Sequence, residues 1–183
     1  DKFPSIPQQN YWFKNLGNGI FNSVPTNIFI SYTTALQKIK IADLDSDGFD
    51  DVILAREGSF GGPNQFGWMK NLGNSNFGTF NLLLGQKPFS FEIIDIESDG
   101  DFDIIYTDAA SANHELKLFE NLGGGSFSAS SIISSQNITP VYLNSVDFDF
   151  DGDMDLAAFG LNVADGGIVI YSNNYHQSSQ TSG

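Results

Sequence analysis

The sequence contains no cysteine. A disulfide framework, a thiolate metal site and a cysteine nucleophile are therefore excluded. Secretion is not, because a chain of 183 residues can bury a core of useful size without disulfide staples. Basic residues are scarce as well. Arg56 is the sole arginine, and 8 Lys plus Arg stand against 22 Asp plus Glu. With no basic patch to neutralise phosphates, nucleic acid is not an expected partner. No apolar run approaches the roughly 18 residues of a membrane-crossing helix, and no secretory leader is recognisable. Catalytic signatures are missing too: there is no Gly-x-Ser-x-Gly elbow, His-Glu-x-x-His pair or phosphate-binding loop. The two histidines, His114 and His176, stand in unlike contexts. The chain is expected to bind rather than to catalyse.

What is abundant is carboxylate, and it is concentrated. The formal charge is −14, and 15 of the 22 acidic residues lie in three nine-residue windows. These are Asp43–Asp51 (DLDSDGFDD), Asp95–Asp103 (DIESDGDFD) and Asp147–Asp155 (DFDFDGDMD), set at 52-residue intervals. Five carboxylates in nine residues repel one another strongly unless a cation joins them. Three divalent ions would bring the charge from −14 to −8. The 17 phenylalanines and 40% hydrophobic content exclude a disordered acidic tail.

Short apolar or alternating runs flank each window: Lys38–Ala42 and Val52–Ala55, Phe89–Ile94 and Ile104–Tyr106, Val141–Leu143 and Leu156–Phe159. Runs of this length broken by Asp/Gly turns read as strands, so each acidic loop joins two strands of a hairpin. An aromatic or apolar strand then leads into Asn-Leu-Gly and, six residues after the Asn, a Phe. The copies are Tyr11–Gly17 with Phe21, Gly67–Gly73 with Phe77, and Leu116–Gly123 with Phe127. Asn-x-Gly is turn chemistry. Fourth strands are expected at Phe80–Leu84 and Ser131–Ile133, and a weaker third-strand copy at Ile168–Asn173. The unit is four antiparallel strands in about 52 residues, an all-β pattern that reads as propeller blades; a β-sandwich and a solenoid are the alternatives.

This pattern resembles the FG-GAP/VCBS repeat family over roughly residues 11–173. That family's blades carry Asp-x-Asp-x-Asp-Gly-x-x-Asp loops between their first two strands and an aromatic–Asn–x–Gly segment in the third. It includes integrin α-subunit propellers, propeller lectins, and secreted bacterial adhesion or accessory modules. The resemblance implies calcium and an extracellular or cell-surface setting, most often bacterial.

Calcium takes about six to eight oxygens. The expected ligands are the side chains of Asp43, Asp45, Asp47 and Asp51 with the Phe49 carbonyl. They are matched by Asp95, Glu97, Asp99 and Asp103 with the Asp101 carbonyl, and by Asp147, Asp149, Asp151 and Asp155 with the Asp153 carbonyl. Gly48, Gly100 and Gly152 allow the turn. The side chains of Asp50, Asp101 and Asp153 fall between ligand positions and are expected to face solvent. An EF-hand is rejected: position 12 is Leu54, Tyr106 or Ala158 instead of Glu, and the flanks are strands. Such ions, about three in number, are expected to be structural.

The loops between second and third strands are long and dissimilar, which suits ligand contact on a rigid scaffold. Arg56, Phe60, Asn64 and Gln65 in the first, Asn113 and His114 in the second and Asn162 in the third are the candidates for a glycan or protein ligand. Residues 1–175 are expected to form the propeller-like domain, and 176–183 a polar tail. The chain holds about three and a half blades, whereas rings need at least about four. It is thus expected either to belong to a longer propeller or to be completed by further copies as a self-assembling structural subunit. An accessory domain of a larger secreted enzyme is a weaker alternative.

Overall fold

The computed structural model describes residues 11–27, 36–56, 63–74, 76–108, 115–134, 140–160 and 167–175. Among these, fifteen strands form antiparallel sheets. β5 (Leu36–Ala42), β6 (Asp51–Arg56), β7 (Gln65–Asn71) and β8 (Phe77–Leu84) make one four-stranded sheet in sequence order. β9 (Phe91–Ile94), β10 (Asp103–Thr107), β11 (Leu116–Phe119) and β12 (Ser131–Ser134) make the second. β13 (Pro140–Val146), β14 (Asp155–Gly160) and β15 (Gly167–Tyr171) make a third of three strands. Upstream, β1 (Tyr11–Trp12) pairs with β4 (Thr26–Asn27) and β2 (Asn15–Gly17) with β3 (Ile20–Phe21), so the leading copy of the repeat is a short hairpin.

The first strands of successive sheets are neighbours, with β9 against both β5 and β13. Meandering four-stranded units whose first strands gather on one side are the blades of a β-propeller. The expected fold class is the observed one. The fourth strand of the first blade begins at Phe77 itself, three residues earlier than expected, because Asn71 pairs directly with Phe77 across the Asn-Leu-Gly turn.

Strand pleating explains why both faces are apolar. Side chains alternate between faces, so a sheet between two neighbours must supply two interfaces. In β10, Ile104 and Tyr106 pack toward the first blade, in a cluster with Ile53, Ala55, Phe66 and Trp68 of that blade and Phe91 of their own. Ile105, between them, packs toward the third blade with Leu143, Leu156 and Ala158. Every residue of β10 is buried. Phe66, Phe91, Tyr106 and Phe119 form a run of aromatic contacts with centroids 4.8–6.0 Å apart. A third cluster, Val52, Leu54 and Met69, lies on the opposite side of the first blade with Phe77 and Phe80.

Candidate metal centre

Each acidic loop connects the first and second strands of a blade, and all three close in the same way. The carboxylate at position 9 ends the loop and starts the second strand. Asp51, Asp103 and Asp155 are almost fully buried. One oxygen of each accepts the backbone N–H of position 2 (Leu44, Ile96, Phe148) at 2.8–3.1 Å. The other accepts the N–H of the motif asparagine on the third strand (Asn71, Asn121, Asn173) at 2.7–2.8 Å. Position 5 folds the far side: Asp47, Asp99 and Asp151 each accept the N–H of position 7 at 2.9 Å. Gly48, Gly100 and Gly152 sit at φ +89°, +97° and +97°, where a side chain would be strained.

This closure brings carboxylate oxygens of positions 1, 3 and 9 to within 4.8 Å of one another, three times over: Asp43, Asp45 and Asp51; Asp95, Glu97 and Asp103; Asp147, Asp149 and Asp155. Asp47, Asp99 and Asp151 stand outside these tight groups. The site suits a hard divalent cation on two grounds. Asp45 Oδ1 and Asp147 Oδ1 are buried without a hydrogen-bond partner, a costly state for a carboxylate oxygen unless a cation faces it. In the second loop, burial and the shared hydrogen bond with Asp103 push Glu97 up to about 7. Burial likewise raises Asp51, Asp103 and Asp149. These groups are crowded beyond what neighbouring donors neutralise, and a bound divalent cation would supply that charge. The longer Glu97 keeps its place in the cluster.

The expectation that the side chains of Asp50, Asp101 and Asp153 face solvent is corrected for the two at position 7, Asp101 and Asp153. Asp50 is exposed, but Asp101 is half-buried and Asp153 is 1% exposed. Both turn toward the preceding blade. Ser46 Oγ donates to Asp101 Oδ1 at 2.9 Å, and Ser98 Oγ donates to Asp153 Oδ1 at 3.4 Å. Each links position 4 of one loop to position 7 of the next. A stronger link lies beside it. The buried Asn121 amide donates to the Leu44 carbonyl at 2.8 Å, and Asn173 donates to the Ile96 carbonyl at 2.8 Å. The Asn-Leu-Gly segment is thus more than a turn. It ties its own loop through the position-9 carboxylate and the preceding loop through a carbonyl at position 2. Sequence reasoning missed this role, although the recurrence of an Asn 18–20 residues after the end of each loop was its trace.

The proposed ligand loops fare differently. Phe60, Asn113, His114 and Asn162 lie outside the described residues. Arg56 and Gln65 are cross-strand partners and bond to each other through their side chains; Arg56 also lies over the Phe80 ring at 4.7 Å. Asn64 is half-buried beside them. Other carboxylates are engaged structurally, Glu92 with Lys40 and Asp108 with Lys117. Among the described residues no helix is long and apolar enough to cross a membrane.

The FG-GAP-like repeat family model matches residues 43–106 and again 95–158, each match running from the start of one acidic loop into the second strand after the next. No curated protein matches the chain significantly.

Proposed function

The chain belongs to the FG-GAP-like repeat family, and from that membership we propose that it is a calcium-stabilised adhesion or recognition module acting outside the cell or at its surface. The carrying observation is the threefold recurrence of one carboxylate cluster, each placed where a loop meets its neighbouring blade. Asp43, Asp45 and Asp51 and their counterparts would hold the ions, with positions 5 and 7 available to complete the shell. The ions' part is mechanical. Calcium bound only by the folded loops stabilises the fold by mass action, and a stiff scaffold presents its second-to-third-strand loops at low entropic cost. A glycan or a protein surface is the class of ligand such loops recognise. Thermal unfolding with calcium and with chelator tests the first half, and a glycan array with the calcium-loaded protein tests the second. A melting temperature indifferent to chelator would remove calcium from this reading.

A second reading, self-assembly, draws support from one feature. Among the described residues β15 has β14 as its only strand neighbour, and Ile168 on it is 72% exposed. An edge of this kind accepts a further strand. Sedimentation over a concentration series separates the two readings: a monomer throughout argues against assembly.

A further inference from the structure

The three loops share a backbone but not a charge balance, and the difference lies at the residue preceding the motif asparagine. That residue is Lys70 for loop 1, Glu120 for loop 2 and Ser172 for loop 3. Pleating sends Lys70 to the same face of β7 as Trp68, the face that meets the second blade. The bond from Asn71 N–H to Asp51 fixes the strand at that point. From there the Lys70 ammonium donates to Asp45 Oδ2 and lies 2.8 Å from Asp47 Oδ2.

The oxygens of loop 1 can be followed one by one. Asp43 accepts the N–H groups of Asp47 and Gly48 on its two oxygens, at 3.1 and 2.8 Å. Asp51 accepts those of Leu44 and Asn71. Asp47 Oδ1 accepts the Phe49 N–H. Lys70 then takes Asp47 Oδ2 and Asp45 Oδ2, and Asp45 Oδ1 remains, in a side chain 7% exposed. An ammonium is a compact charge with three donors. Here it sits on oxygens a calcium ion would need, and two cations a few ångströms apart repel.

We propose that Lys70 is a built-in counter-cation for loop 1, so that this loop closes without metal and takes calcium only when the ammonium is displaced, whereas loops 2 and 3 depend on calcium. The inference rests on the calcium reading above and divides its three sites into unlike classes. The joint between the first two blades then keeps its order at calcium levels too low to fill the others.

Calorimetric calcium titration and native mass spectrometry of the full 183-residue chain test this. The wild type is expected to bind two ions in a tighter class and a third at least about tenfold more weakly. Asp43→Asn should abolish the weak class and spare the tight one. Lys70→Met, which keeps the side-chain stem, should bring the third site to within about threefold of the other two. Glu120→Lys should move one tight ion into the weak class. A metal-free readout accompanies these: in chelator, Lys70→Met should melt several degrees below wild type. Three equal sites in the wild type, or a Lys70→Met titration identical to wild type, would overturn the inference while leaving calcium binding intact. No calcium uptake by any variant would overturn both.

Discussion

The side-chain amide of Asn121 donates to the carbonyl of Leu44, 77 residues earlier in the chain, and the same bond recurs from Asn173 to Ile96. Asn121 Nδ2 also reaches the Phe102 carbonyl at 3.1 Å, its Oδ1 accepts the Gly123 N–H, and the side chain is buried. One residue thus closes its own turn, supports its own acidic loop and fastens the loop of the preceding blade.

Replacing that residue should be costly. Asn121→Ala leaves the buried Leu44 carbonyl and the part-buried Phe102 carbonyl without this donor, at roughly 1–3 kcal/mol for each unsatisfied group. A total loss near 3 kcal/mol is expected in urea unfolding. Asn71 donates within its own blade, to the Asp50 carbonyl at an exposed site. Asn71→Ala should therefore lose only about 1 kcal/mol.

The position-9 carboxylates have a role separate from metal. Asp103 spends both oxygens on backbone N–H groups and is buried. Asp103→Ala should destabilise the protein by about 2–4 kcal/mol even in chelator, through one buried and one part-buried donor left unpaired. Asp95 is only half-buried and meets its two N–H partners at exposed positions. Asp95→Ala should cost little in chelator and act mainly by lowering the calcium-dependent rise in melting temperature.

In metal-free buffer, stability should fall as pH rises from about 5 to 7. Glu97 has its folded pKa raised from 4.5 to about 7. A carboxyl raised in this way keeps its proton in the fold at a pH where the unfolded chain has lost it. The folded state binds more protons across that window, so raising pH favours unfolding. Asp51, Asp103 and Asp149 are shifted in the same direction. Asp47 runs the other way, because its hydrogen bond from Lys70 and then that from Phe49 lower it. Its contribution is lost only as pH drops below the ordinary carboxylate range. Saturating calcium should flatten the slope between 5 and 7, and Glu97→Gln should reduce it. Thermal melts at stepped pH, with and without chelator, check both.

Phe150 occupies position 4 of the third loop at φ +62° and is 88% exposed, where loops 1 and 2 carry Ser46 and Ser98. A bulky aromatic in the left-handed region is strained, and its exposed ring gains nothing from packing. Phe150→Asn should raise stability by about 0.5–1 kcal/mol. A decrease would point to a packing role for this ring.

The amino-acid pattern alone led far into this protein. Three Asp-x-(Asp/Glu)-x-Asp-Gly loops at one spacing imply repeated hairpins, because strand runs and turn residues are local signals of pleat and backbone freedom. The apolar runs on both sides of each loop correctly imply sheets buried on two faces. Of the expected side-chain positions 1, 3, 5 and 9, three (1, 3 and 9) converge as a tight cluster, because nine residues around a glycine turn have little choice in how their carboxylates meet; position 5 stands outside it. What the pattern left open lies between repeats. The pattern does not show that Asp153 is buried against Ser98 of the preceding loop. Nor does it direct Asn121 to Leu44. Those partners meet because neighbouring blades stack through Ile104, Tyr106 and Trp68, and the resulting angle sets which side chains of adjacent loops come within a hydrogen bond. Spacing along the chain carries no record of that angle; packing of the two sheets produces it.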